Sequence, residues 1–497
     1  MDYRPCRLQT SRLFTMLPSS TFSDRQSRNR VHRVFDRPFL RLAASLLVIS
    51  GAASIAVHAD TPASSDPAAQ PPDAPPAIIA GKRRVPELLL ADKQGGTFFT
   101  GIPLIGYDDE LGWSYGAAIE WYDNGPKKSP FFAYTPYRRM IKVGAAGTTE
   151  NAVRLFVGYD QPYIKDTRWS VSGDLVYEKN DDENFFGVGQ RSLERLRFPG
   201  LDQSFREFDD YEDARNLIVN GQTWRKYDSY RRKELTLVGS VEYGFLDGLL
   251  QPAAGFQISR IQAGDYTGQT IGGAIQQETR LHEEVRTAGV TGFKGGWNNL
   301  LSLGLTWDSR DFSPDPNSGV LAEIFIRASA KWLGSDFNYR QITTGITYFH
   351  DLLPRRTRLI FAGTLVYESQ FGNAPFFAQS SLAVAGDEAR QGLGGFNSLP
   401  GYLNNRFIGD TKTHANLELR WSFWQFVLWK QHIRTMLVPF VGAGRVFDSI
   451  EDTTLKGWKS VGGLGLRLAW NLSTVISFDN AFSSEGNVFY MELGHPF

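Results

Sequence analysis

The chain has 497 residues and a formal net charge of zero, from 53 basic and 53 acidic side chains, so there is no electrostatic case for nucleic acid. A single Cys, 49 Gly and 13% aromatic residues accompany a mean hydropathy of −0.29. No apolar run reaches the length of about 18 residues that helical membrane spans require, so a helical membrane protein is excluded.

The first 36 residues are Arg-rich and polar and read as an over-long start, with Met16 as a candidate initiator. Arg37, Arg41 and the apolar stretch from Leu42 to Ser50 lead through small residues to Val57-His58-Ala59. A basic flank, a short apolar stretch and that ending predict a secretory signal peptide over 1–59, cleaved before Asp60. Cys6 lies upstream of the cleavage, so the mature chain is expected to carry no disulfide. Residues 60–95 begin TPASSDPAAQPPDAPP and read as a Pro/Ala-rich periplasmic linker.

From about Gly95 the texture becomes alternating segments parted by Gly, Asp, Asn and Pro. In 415–424, Ala415, Leu417, Leu419, Trp421 and Phe423 oppose Asn416, Glu418, Arg420 and Ser422; in 461–470, Leu464, Leu466, Leu468 and Trp470 oppose Gly463, Gly465 and Arg467. One apolar face and one face with charges of both signs fit a sheet whose outside is lipid. Such a sheet must close, because an unpaired backbone group in hydrocarbon is too costly. The alternation predicts about sixteen strands, near 97–107, 112–123, 138–147, 152–163, 168–179, 230–244, 249–263, 299–309, 320–332, 337–349, 357–370, 413–425, 433–447, 459–470, 473–482 and 487–497. Short connections at 164–167, 245–248, 350–356, 426–432 and 471–472 fall on one side, and long ones at 180–229, 264–298 and 371–412 on the other. That asymmetry is expected of an outer-membrane β-barrel, all-β and antiparallel, over 96–497.

Asp308, Arg310, Asp311, Pro316 and Gly319 form one motif between predicted strands. Gly394, Gly395, Phe396, Pro400, Gly401 and Tyr402, then Arg406, Phe407, Gly409 and Asp410, form a second in the last long connection. Asn184-Phe185-Phe186-Gly187-Val188-Gly189 and the terminal Gly494-His495-Pro496-Phe497 are two more. In this order they resemble the BamA/TamA-like bacterial surface antigen superfamily over about residues 96–497. The resemblance implies a sixteen-stranded barrel whose long sixth extracellular loop, carrying the second motif, folds into the lumen. Two departures stand out. The family's loop has an Arg where this chain has Pro400, and its acidic partner in a Phe-x-Asp-x-Gly hairpin is replaced in Phe440, Gly442 and Gly444. Losing both members of a buried pair can be near neutral, so removal as a unit is expected, with Arg406 or Arg390 as the substitute anchor. Restoring Pro400→Arg with Gly442→Asp is then expected to be tolerated better than Pro400→Arg alone. The second departure is that 60–95 leaves no room for a client-receiving POTRA domain.

Chemistry is sparse. His282-Glu283-Glu284 begins like a zinc helix, but Arg286 stands where the second His belongs, and no G-x-S-x-G elbow occurs. No catalytic residue, metal ligand or cofactor is expected. The inward charges, among them Arg154, Asp174, Glu234, Glu242, Asp308, Glu323, Arg327, Glu418, Arg420, Arg467 and Glu492, are expected to pair with one another, with a mixed-sign ion pathway as the alternative. Acidic stretches at 180–184 and 204–214 read as solvated loop, against a divalent cation bridging lipopolysaccharide phosphates. Expected partners are outer-membrane lipids and lipopolysaccharide, the barrel-assembly machinery reading Phe497 as a C-terminal signal, and outer-membrane protein clients. The expected role is insertion or remodelling of outer-membrane components, with a passive solute channel as alternative and a lipid-modifying enzyme as a third.

Overall fold

A computed structural model describes residues 76–497, apart from 83, 86, 313–314, 354–357, 383–389, 429–430 and 472–473. The initiator, signal-peptide and cleavage readings, and the linker up to residue 75, lie outside the described residues. The barrel strands are β1 Thr97–Asp108, β2 Gly112–Asp123, β3 Arg139–Thr148, β4 Val153–Gln161, β5 Trp169–Asn184, β6 Ser229–Tyr243, β7 Leu250–Gly264 and β8 Leu300–Asp308. They continue as β9 Gly319–Ser329, β10 Asn338–Asp351, β11 Leu359–Asn373, β12 Thr411–Leu428, β13 Gln431–Phe447, β14 Lys459–Trp470, β15 Thr474–Ser483 and β16 Gly486–Leu493. Each pairs antiparallel with its neighbour in the chain, and β1 returns to β16, closing a sixteen-stranded barrel.

The period of two decides the faces. Leu303, Ile119 and Val441 stand 66%, 60% and 57% exposed on the outside, whereas Glu368, Lys412, Arg420 and Arg467 on the inside are 0% exposed. Apolar outside and charged inside inverts a water-soluble protein, which is stable only against lipid. At the rim where β1 begins and β16 ends (the terminal rim) no connection exceeds the fifteen residues of 124–138. The opposite, loop rim carries the long connections 185–228, 265–299 and 374–410. Two strands exceed their predicted lengths by four or five residues, β5 and β12, each with an irregular register that breaks the alternation, between Asn180 and Glu183 and between Ser422 and Trp424.

β16 is shorter than predicted. Gly494 takes φ +97° and ends the strand, and Pro496 has no N–H to continue the ladder. The tail turns inward. The Phe497 carbonyl accepts from Arg420 Nη2 at 3.0 Å, and that guanidinium lies 5.5 Å from the Phe497 ring. In the folded barrel Phe497 is therefore an inward-packed residue beyond the last strand and not the end of a lipid-facing one.

The linker reading needs correction for residues 76–95. Ile79 is fully buried beside Gly248, Gly81 N–H donates to the Asp247 carbonyl at 2.9 Å, and Lys82 Nζ reaches an Asp308 carboxylate oxygen at 3.1 Å. The following helix, α1 (Glu87–Asp92), buries Leu90 against Phe132 and Ala133 of the β2–β3 turn. Lys93 donates to the Phe132 and Thr135 carbonyls, both at 2.6 Å, and its burial pulls its pKa down to about 8. Composition pointed to a free linker because Pro and Ala dominate. Two well-placed apolar side chains and two lysines were enough to fasten this end to the terminal rim.

Candidate functional site at the barrel seam

The closure between β1 and β16 is the weakest pairing in the wall. Only Tyr107 with Met491 and Asp108 with Tyr490 are in register, against eight pairs in the shortest of the other junctions. Beyond the strands, the Phe489 N–H donates to Asp109 Oδ2 at 2.8 Å, a further tie at the loop rim.

The segment 393–409 lies against this seam. Its shape comes from its glycines: Gly394 takes φ +117°, and a Cβ there would stand 1.9 Å from the Leu403 carbonyl oxygen, so no other residue fits without rearrangement. Ser398 Oγ ties the turn internally, donating to the Gly392 or Gly394 carbonyl and accepting from Gly394 N–H at 3.1 Å. Leu393, Leu399, Tyr402 and Phe407 then form one buried cluster with Val446 and Val461 of the wall. Phe396 packs with Phe440, Ala481, Val488 and Tyr490, all on inward-facing positions.

Arg406 is 1% exposed and forks onto Glu485 in the β15–β16 turn, with Nε to Oε2 at 2.7 Å and Nη2 to Oε1 at 2.8 Å. It also donates to the Ser192 and Glu194 carbonyls and is sandwiched between the Phe186 and Phe407 rings, 4.7 and 4.8 Å away. Two residues earlier the loop turns to the other side of the seam. Asn404 N–H donates to Glu110 Oε2 at 2.8 Å in the β1–β2 turn, and Asn404 Nδ2 to Asp108 at 3.2 Å. Asn405 Nδ2 donates to Glu183 at the end of β5 at 2.7 Å. Burial next to Asp108 raises the Glu110 pKa well above the carboxylate range, so its bonds to Asn404 and Asn184 are made in a dry setting. One loop thus grips both hairpins that border the weak junction.

The two departures in the loop motif have a structural counterpart. Position 400 is buried, and at position 442 a Cβ would stand 1.9 Å from Asn416 Oδ1. Asn416, which pairs with Gly442 across β12–β13, uses its Nδ2 to donate to the Ser398 carbonyl in the loop at 2.6 Å. The space of the absent acid is therefore occupied by an amide that bonds the same loop. Gly442→Asp is therefore expected to be damaging by itself, and adding Pro400→Arg is expected not to rescue it. The unfolding temperature of the two variants in detergent checks this; recovery in the double variant overturns it. Of the substitute anchors proposed from sequence, Arg406 makes an ion pair, with Glu485; the side chain of Arg390 lies outside the described residues.

The remaining motif residues sit elsewhere. Asp311 caps the β8–β9 turn by accepting from the N–H groups of Phe312, Asn317 and Ser318, and Asp308 accepts from Arg310 Nε at 3.0 Å. Gly319 at φ +115° leaves no room for a Cβ beside the Ser309 carbonyl, and Pro316 is buried in the same turn. Gly409 and Gly444 let the loop base approach the wall, next to Phe447 and Leu393 respectively, and Asp410 accepts from Gln379 at 2.7 Å.

The β8–β9 turn also carries Asp315, which sequence reading missed. Buried at the terminal rim, it pairs with Arg434 and with His495 Nε2 at 3.2 Å. His495 Nδ1 meets Arg467 Nη1 at 2.9 Å, and Arg467 bridges Glu418 at 2.6 Å and Asp479 at 2.8 Å, while Arg420 joins Glu418 at 2.8 Å. Burial and the three arginines hold the His495 pKa well below its usual value, so the ring is neutral; accepting at Nδ1 and donating at Nε2 fits that state. Other inward charges are paired too: Asp174 with Lys142, Glu234 with Arg232, Arg154 with Glu178 and Glu368 with Lys412. Between loop and tail remains a cavity of about 80 Å³, lined by Ser398, His414, Glu323, Phe349 and Phe497. His282 of the zinc-like segment pairs with Asp265, and Arg286 with Glu278. In the acidic stretch, Asp181 and Asp182 pair with Lys179 and Lys226.

Two family models match the chain, a domain of unknown function (DUF5982) over residues 75–138 and the Omp85 superfamily domain over 140–497. Among solved structures the fold is similar to BamA from Haemophilus ducreyi lacking POTRA domains 1–3, at 15% identity and TM-score 0.47, covering 81% of this chain and 70% of that one. CdiB from Escherichia coli is similar at 11% identity and TM-score 0.46, covering 81% and 63%, and CdiB from Acinetobacter baumannii at 10% and 0.45, covering 81% and 60%. No curated protein matches the chain. With the Omp85 model spanning nearly three quarters of its length, the chain belongs to the Omp85 superfamily of outer-membrane β-barrels.

Proposed function

We propose that this barrel assists the insertion or remodelling of outer-membrane components by parting β1 from β16, with the 393–409 loop as the clasp that holds the junction shut. The observation that carries the reading is a two-pair seam whose flanking hairpins are both gripped by one loop, through Asn404 on one side and Arg406 on the other. A parted seam exposes two strand edges, each able to template an incoming strand through backbone hydrogen bonds. The rim with the three longest loops faces outward and the terminal rim the periplasm, so residues 76–95 lie along the periplasmic mouth. The pairing of inward charges of both signs favours this reading over the passive channel, whose walls more often show one dominant sign.

A seam lock tests this. Tyr107→Cys with Met491→Cys places two thiols on residues that are partners across the closure. In liposomes given an unfolded eight-stranded barrel as client, the reduced protein is expected to speed folding and the oxidised protein to lose that effect. Equal acceleration in both states sinks the proposal.

A further inference from the structure

The lipid-facing surface is apolar along most strands, but at the loop rim of β5–β7 it carries a cluster of basic side chains. Lys179 and Lys233 are direct cross-strand partners, on the face that carries the exposed Leu175, Leu235 and Leu237. Arg260 of β7 shares the face of the exposed Phe256 and Ile258, and it stands diagonal to Lys233, whose own β7 partner is Gln262. Like charges directly opposed on one face of a sheet repel. With strands about 4.8 Å apart, the three cations fall within the footprint of one lipid headgroup.

The protein offsets Lys179 with Asp181 and, more weakly, Arg260 with Asp336, and it leaves Lys233 without a partner among the described residues. Arg260 stacks on Trp297 at 5.5 Å and reaches Asp336 only at 3.9 Å. Arg231 on the same face turns into the loop to the Asp265 carbonyl. At the opposite rim the outward charges Asp123 and Arg139 neutralise each other at 2.8 Å. The excess of positive charge is therefore on one leaflet's side, immediately above an apolar wall and beside a half-exposed Trp, where headgroups meet acyl chains.

We propose that Lys179, Lys233 and Arg260 form a site for the phosphates of a phosphorylated glycolipid of the outer leaflet, with its acyl chains along Leu235 and Ile258. A phosphate is the group that relieves three convergent cations at the headgroup level, and Arg and Lys are the side chains that bind it. The site is separate from the seam and does not depend on the function proposed above.

The test uses the full chain purified in a zwitterionic detergent, with diphosphorylated lipid A as probe and native mass spectrometry as readout. Lys179→Gln, Lys233→Gln and Arg260→Gln together are expected to weaken binding roughly 100-fold, from the loss of three surface cations. Arg139→Gln at the other rim is expected to leave it unchanged, and the heat-dependent gel shift of the triple variant shows whether the barrel is still folded. Lipid A stripped of phosphate should not compete. A folded triple variant that binds as the parent does overturns the proposal, and so does equal binding of phosphatidylglycerol, which would make the patch a general anionic-lipid surface.

Discussion

Arg406→Met is expected to lower stability by about 3–5 kcal/mol, because it leaves the Glu485 carboxylate buried without its partner. Glu485 is itself largely buried, and the Arg406 fork supplies both of its charge-assisted bonds. Removing both charges, as Arg406→Met with Glu485→Met, is expected to recover most of the loss, since two apolar side chains of similar volume can replace a buried ion pair. The midpoint of the heat-dependent gel shift in detergent separates the two cases. A double variant as unstable as the single one would mean that the stacking of the guanidinium between Phe186 and Phe407 matters more than the pair. The same single variant carries a second expectation. If the loop is the clasp, freeing it loosens the seam, so the variant is expected to open more often in planar bilayers than the parent.

Arg467→Met is expected to have a comparable effect at the other rim. Arg467 is the hub between Glu418, Asp479 and His495; the first three are buried, and so is the His495 side chain. Among the described residues its removal leaves Asp479 without an ion pair and Glu418 with Arg420 alone, again a loss of about 3–5 kcal/mol for an uncompensated buried charge. The tail from Gly494 to Phe497 also loses its contact through His495, so limited proteolysis in detergent should trim the C-terminus of the variant before that of the parent. Arg467→Met combined with Asp479→Asn is expected to restore part of the stability. Unchanged melting and unchanged trimming in the single variant would show that the tail is held by Asp315 and Arg420 without it.

The two clusters differ in what they were seen to be from sequence. Alternation in 415–424 and 461–470 placed Glu418, Arg420 and Arg467 on the inner face, and the structure keeps them there, fully buried. The loop motif was visible as a motif, and Arg406 was one of two candidates to anchor it. Its partner Glu485 was not visible, because a Ser-Ser-Glu-Gly turn between two strands carries no mark of what will lie over it. Glu110, Glu183, Asn404 and Asn405 were missed for the same reason. Asp315 in the β8–β9 turn looked like turn chemistry only, yet it crosses to Arg434 on β13.

Local repetition is enough to place about sixteen strands, their faces, the parity that brings both ends of the barrel to one rim, and the side with the long loops. A period of two is written in adjacent residues, and a lipid exterior permits only one way to bury or expose them. Tertiary structure alone decided how the ends and loops are fastened. Lys82 meets Asp308, Arg406 meets Glu485 and Asn416 fills the place of an absent acid because the closed wall brings side chains together across wide gaps in the sequence. Such pairings depend on the curvature of the barrel and on which side chain fills a given space, and neither is encoded in the spacing of neighbouring residues.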